Sequence, residues 1–193
     1  MFYINQLDYA SIPYLHNTEG GGMPLDKRNA AAAGCGPCCL CMIVENLTCY
    51  HLDLLHALRL SEDLGANKKE GTNLQILGAA VAEQYHLDFK TTDDICEMLA
   101  CLRNGGMAVA NSGGDRDGYT GLFTHGGHYI TVVSADEKEV CVLDPSYKPG
   151  KYDEEGREGK VEVCYPFVYC SIETLKKDCE NKKPAYYLFA RKR

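Results

Sequence analysis

A cysteine framed by glycines and followed by proline, Gly34-Cys35-Gly36-Pro37, heads an apolar run that reaches Leu47. Proline suits the first turn of a helix, where the first amides have no partner, so the spacing predicts a helix beginning near Cys35. Open amides and the positive end of a helix dipole favour a thiolate over a thiol. The flanking glycines leave the sulfur uncrowded, and the amide of Cys35 itself is placed to hold an oxyanion once a carbonyl is attacked. The bland counterpart is a buried structural cysteine in front of a helix.

Such a thiol needs a base. His128 follows Gly126-Gly127 and opens an apolar strand over 129–135, after which Glu139–Leu143 reads as its hairpin partner. If the turn between them holds an odd number of residues, alternation puts His128, Ile130 and Val132 on the face that carries Val140, Val142 and Asp144. An even turn would part them. Asp144 accepting from one ring nitrogen would aim the other at sulfur. Alone, Asp144-Pro145 reads as a turn starter and His128 as a core histidine; together, downstream of a cysteine at a helix start, they read as a catalytic unit. His125 is the rival base, but its loop setting and following glycines make it a substrate-side or solvated residue.

The elements that must position these groups change character along the chain. The stretch through Pro24, with Gly20-Gly21-Gly22, reads as extended with little regular structure. After the helix from Cys35, helices are predicted over 52–60 and from an N-cap at Thr72, with Leu74, Leu77, Ala80 and Val81 at helical spacing. The second half is sheet-dominated, with strands at 87–89, 107–110, 161–163 and 185–189 around the hairpin. It also holds a helix over 93–103 capped by Thr92 and another near Ile172–Cys179. The glycine-rich loop 111–127 and the polar loop 145–160 are placed to shape a cleft. The fold class is α+β, a helical N-terminal half packed on an antiparallel sheet, in a single domain of 193 residues.

A net charge of −7 with scattered acidic residues offers no basic surface for a phosphate backbone, which argues against nucleic acid. No segment has the roughly 20 apolar residues of a membrane span, and no basic-then-apolar leader is visible, so the cytoplasm is the expected location. Most of the eleven cysteines, without an export signal, are expected as free thiols, with Cys96, Cys101, Cys141 and Cys164 as core filler. Nothing in the sequence fixes an oligomeric state.

The motifs Cys35-Gly36-Pro37, Gly127-His128-Tyr129 and Asp144-Pro145, in that order, resemble those of the C39-like peptidases of the papain-like group. The resemblance spans about 4–146. It implies a papain-like fold and a cysteine peptidase or amidohydrolase acting on peptide or amide substrates without a cofactor or metal. In this likeness Cys35 is the nucleophile, His128 the base and Asp144 its orienting carboxylate. Gln6, in Asn5-Gln6-Leu7-Asp8-Tyr9, corresponds to the family's oxyanion-hole glutamine. Where the family carries a small hydroxyl or aliphatic residue after the proline, this chain has Cys38, Cys39 and Cys41. C39 relatives fused to exporters cleave after a double glycine; without a transporter segment that substrate is not implied here. The papain-like scaffold also hosts acyltransferases such as the phytochelatin synthases, for which the acceptor is not water.

Two other chemistries compete. Cys35-Gly36-Pro37-Cys38 matches the redox motif of thioredoxin-like oxidoreductases, although four alanines and a glycine precede it instead of an apolar strand with an aromatic residue. Cys35, Cys38 and Cys41 have zinc-like spacing, but all three would come from one helix and Cys96 with Cys101 makes a poor second pair. Asp115 and Asp117 suggest calcium only faintly, since too few carboxylates follow at loop spacing.

Overall fold

The computed structural model describes residues 1–14, 28–69 and 71–192. The glycine run 20–22 lies outside them. The described part of the N-terminal segment is not wholly irregular: Gln6–Tyr9 forms a 3₁₀ turn capped by Asn5. In chain order the helices are α1 (Ala30–Ala33), α2 (Cys35–Leu47), α3 (Leu54–Asp63), α4 (Leu74–Gln84), α5 (Ile95–Arg103) and α6 (Ile172–Cys179). Strands β1 (Asn67–Lys68) and β2 (Gly71–Thr72) form a small hairpin. The main sheet comprises β3 (Leu87–Thr92), β4 (Met107–Ser112), β5 (His128–Ala135), β6 (Glu139–Leu143), β7 (Val161–Cys164), β8 (Phe167–Ser171) and β9 (Tyr186–Arg191). Its order is β3-β9-β4-β5-β6-β8-β7, with every neighbouring pair antiparallel.

Local side-chain chemistry sets most of the helix starts. Asn29, Asp53, Asn73, Asp94 and Ser171 each accept a hydrogen bond from an amide of the helix that follows, satisfying donors that the first turn leaves open. Two caps therefore differ from expectation. Asn73 caps α4 because Thr72 belongs to β2, with its hydroxyl paired to buried Tyr14 at 2.8 Å; Asp94 caps α5, while Thr92 accepts the amide of Asp94. Only α2 among these helices starts without a side-chain cap, at Gly34.

Helices cover both faces of the sheet. On one side α2, α3 and α4 pack with Met107, Val109, Leu143, Tyr187 and Phe189; on the other, α5 and α6 pack with the alternate residues, including Ile130, Val132, Val140 and Val142. Residues 36–44 of α2 are buried, as expected for a helix apolar all round, so Cys38, Cys39 and Cys41 are core side chains. The core-filler expectation holds for Cys141 but not for Cys96 and Cys164, which are exposed, while Cys101 is half-buried. The buried stripe of α5 is Ile95, Met98 and Leu102, which turns Cys96 outward, and Cys164 ends an edge strand. Strand β8 and the β1–β2 hairpin escape sequence reading. Tyr165-Pro166 punctuates one apolar run into β7 and β8, and two-residue strands carry too little alternation to register.

The hairpin that carries the candidate base closes with an even loop, not the odd turn on which the same-face argument is conditioned. Ala135 pairs with Val140, so four residues, 136–139, lie between them; Val133 is then bulged, and Val132 pairs with Val142. The even loop reverses the parity and the bulge restores it. His128, Ile130 and Val132 consequently share a face with Val140, Val142 and Asp144. Among the described residues no helix is long and apolar enough to cross a membrane.

The corner between α1 and α2 leaves no room for a side chain, since a Cβ on Gly34 would lie 2.5 Å from the Ala30 carbonyl oxygen. Gly34→Ala is therefore expected to lower stability by about 1–3 kcal/mol in urea denaturation. Gly126→Ala, whose Cβ would meet nothing within 4 Å, is expected to stay within about 0.5 kcal/mol of the parent.

Candidate active site

Cys35 lies half-buried at the uncapped start of α2, lining a cleft of about 510 Å³ that His128 and Tyr129 also line. Burial pushes its thiol up. The hydrogen bond and charge of the His128 ring, with the amides of Tyr129 and Gly36, outweigh burial and hold the thiol below its ordinary 9.0. For His128 burial works against the charged form, but hydrogen bonds with Asp144 and Cys35 win and raise the imidazole above its ordinary 6.5. Opposite shifts in the two groups are what a thiolate–imidazolium pair requires.

The ring is oriented from behind. His128 Nε2 lies 2.8 Å from Asp144 Oδ1 and 3.0 Å from Ser146 Oγ, which leaves Nδ1 for the sulfur. Asp144 is fully buried, and burial opposes its charge. The Lys151 ammonium first, then the His128 hydrogen bond, reverse this and hold the carboxyl well below the usual carboxylate range. Its second oxygen accepts from Lys151 Nζ at 2.5 Å and Tyr152 OH at 2.6 Å, and its first also accepts from the Ser146 amide at 2.9 Å. Burial lowers the Lys151 ammonium's own pKa although Asp144 supports it.

Gln6 is buried on the 3₁₀ turn. Its amide donates to the Pro145 carbonyl at 2.6 Å, and its Nε2 donates to the Ala31 carbonyl at 2.7 Å. In an unbroken helix that carbonyl would accept from Cys35 four residues on. Here Gln6 Nε2 donates to it. The same N-terminal segment clasps the loop behind Asp144: Tyr3 OH donates to the Asp144 carbonyl and Asn5 Nδ2 to that of Tyr147, both at 2.7 Å.

The structure thus brings Cys35, His128 and Asp144 together and places Gln6 beneath the start of α2. His125 is elsewhere, exposed between Asp115 at 2.9 Å and Glu154 at 2.9 Å, where it ties the loops 111–127 and 145–160 to each other. Asp115 also accepts the Gly121 amide, which is loop architecture. Cys38 is wholly buried with its thiol pushed well up, the reverse of an accessible resolving cysteine. Sequence reading missed Ser146, Lys151 and Tyr152. Ser146 was within reach, because an aspartate commonly accepts the amide two residues on; Lys151 carried no signal, since lysine is among the residues least often buried.

No family model matches the chain, and no curated protein sequence does. Solved structures do. The peptidase domain of Streptococcus ComA, a bi-functional ABC transporter involved in a quorum-sensing pathway, superposes with a TM-score of 0.54 at 12% identity, covering 82% of this chain and 91% of that one. A Bacillus anthracis protein described as a C39-like peptidase gives a TM-score of 0.58 at 14% identity, covering 95% and 96%. The chain has the papain-like α+β fold of C39 peptidase domains.

Removing one member of the buried Asp144–Lys151 pair strands the other, so Asp144→Asn is expected to cost about 3–5 kcal/mol in urea denaturation. The double variant Asp144→Asn with Lys151→Met is expected to recover at least about 1 kcal/mol of that loss. Because the folded carboxyl titrates below its ordinary 3.8, its contribution is complete above that value and disappears as pH falls through the lower folded value. Stability measured from pH 5 downward is therefore expected to fall more steeply in the parent than in the double variant.

Proposed function

We propose that this chain is a cysteine peptidase or closely related thiol amidohydrolase, with Cys35 as nucleophile, His128 as acid and base, and Asp144 as the carboxylate that orients the ring. The observation that carries the reading is the position of the His128 ring, joined on one side to a thiol held below its ordinary pKa and on the other to a buried, ionised carboxylate. The fold shared with peptidase domains points to a peptide as the substrate class.

In this mechanism the Cys35 thiolate attacks the scissile amide carbonyl. Negative charge then develops on the carbonyl oxygen, where the Cys35 amide at the positive end of α2 is the first donor. The Gln6 side-chain amide has two N–H groups, one engaged by Ala31, and supplies the second donor with the other. The His128 imidazolium gives its proton to the departing amine, leaving a thioester on Cys35 and a neutral ring. The neutral ring then takes a proton from water, the hydroxide adds to the thioester, and the carboxylic acid leaves as the thiolate returns. Asp144 keeps Nδ1 aimed at sulfur throughout, and Lys151 with Tyr152 holds Asp144 ionised. No step needs a second sulfur, and the burial of Cys38 counts against disulfide exchange as the main chemistry.

A peptide-linked electrophile with mass-spectrometric site mapping tests the assignment. Labelling is expected at Cys35, and His128→Ala is expected to slow it by about 10²–10⁴-fold at neutral pH. In the parent the labelling rate is expected to reach half its plateau below pH 9.0, the ordinary thiol value, and in His128→Ala at or above it. Cys38→Ser is expected to leave peptide turnover within about twofold of the parent, the opposite of what a two-cysteine redox cycle demands. Even labelling of several cysteines, indifferent to His128, would sink the reading.

A further inference from the structure

The net charge of −7 is not mirrored in the cleft. Four of its lining residues are lysines, Lys68, Lys69, Lys182 and Lys183, and none of its described lining residues is acidic. The lysines come as two adjacent pairs from distant parts of the chain. Lys68 and Lys69 belong to the β1–β2 hairpin beside the start of α2; Lys182 and Lys183 follow α6 and lead into β9. Lys182 stands close to the chemistry, since a Cβ on Gly127, the residue before His128, would lie 3.4 Å from its ammonium nitrogen. Neither Lys69, Lys182 nor Lys183 forms an ion pair with a described residue. The remaining polar lining, Thr72, Asn73, Gln75 and Asn111, is neutral.

Like charges gathered at a concave surface repel one another, and low-dielectric walls focus their field outward into the cleft. An acidic chain that leaves Lys69, Lys182 and Lys183 there without an acidic partner among the described residues presents a site for negative charge. Resting on the peptidase reading, we propose that the cleft selects peptides that carry a carboxylate near the scissile bond, with Lys182 and Lys183 as specificity-determining residues. The carboxylate has two possible sources, an Asp or Glu side chain or the peptide's own C-terminus.

The test uses peptide-linked electrophiles of one scaffold bearing Glu, Gln or Lys next to the reactive group, read as second-order rates of Cys35 alkylation. A Gln peptide with a free or an amidated C-terminus serves as competitor, which separates the two carboxylate sources. A Glu probe, or the free-carboxyl competitor, is expected to react or compete at least about fivefold better than its neutral match. That ratio is expected to shrink in 0.5 M salt, roughly where the screening length falls to several ångströms, and to invert in Lys182→Glu with Lys183→Glu. The milder pair Lys182→Gln with Lys183→Gln, expected to bring the ratio towards one, covers failure of the charge-reversed protein to fold. Equal Glu and Gln rates together with equal competition by the free and amidated C-termini in the parent, or ratios unchanged by both double variants, would overturn the proposal. Iodoacetamide, which carries no peptide, separates this failure from that of the enzymatic reading: loss of His128-dependent alkylation condemns the thiol chemistry, whereas flat ratios in both the Glu-to-Gln and the free-to-amidated comparisons condemn only the selection.

Discussion

A carboxylate taken wholly out of water must find compensation, and the candidate site is arranged around that demand at Asp144. Its oxygens meet the His128 ring, the Lys151 ammonium, the Tyr152 hydroxyl and the Ser146 amide, so nearly every lone pair is engaged. Lysine supplies a positive partner besides the ring, which favours the ionised carboxylate whether or not the ring carries a proton. Histidine is thereby free to change its protonation state without stranding a buried charge. The loop 145–160, featureless in sequence, folds over Asp144 because Lys151 and Tyr152 must reach it, and Arg157 pins the loop through the Gly121 carbonyl at 2.7 Å.

The other half of the site depends on a helix that begins abruptly. Five helices of the described chain satisfy their opening amides with a side chain, and α2 does not. Its N-cap is Gly34, which has no side chain to accept, and Gln6 donates to the Ala31 carbonyl just before it. Tyr3, Asn5 and Gln6 also bind the backbone around Asp144 and Tyr147, so one short N-terminal segment fixes the thiol and the carboxylate relative to each other. Sulfur, ring and carboxylate come from three separate elements, and this segment bridges the first to the last.

Much of the fold was legible because the patterns were local. The apolar run after Cys35, the alternation in β5 and β6, and the span of α6 announce themselves through periodicity and punctuation. The misplaced caps at Thr72 and Thr92 show the limit: each threonine has an equally good capping residue one or two positions on, and only the pairing of β2 and the length of β3 decide between them. The outward turn of Cys96 and Cys164 has the same origin, since exposure depends on which face finds a partner.

The sequence by itself determined the identity of Cys35, His128 and Asp144 as candidates, the α+β class and the order of the main elements, because residue type and short spacing act within a few residues of chain. Tertiary structure decided whether those three side chains meet. It did so through the bulge at Val133, which no local pattern marks and which corrects the parity of an even loop. It also decided that a lysine would be buried against the carboxylate and that two lysine pairs, more than a hundred residues apart, would face one cleft. Such outcomes belong to three-dimensional closure, since the energy of a buried charge depends on every group packed around it and not on its neighbours in sequence.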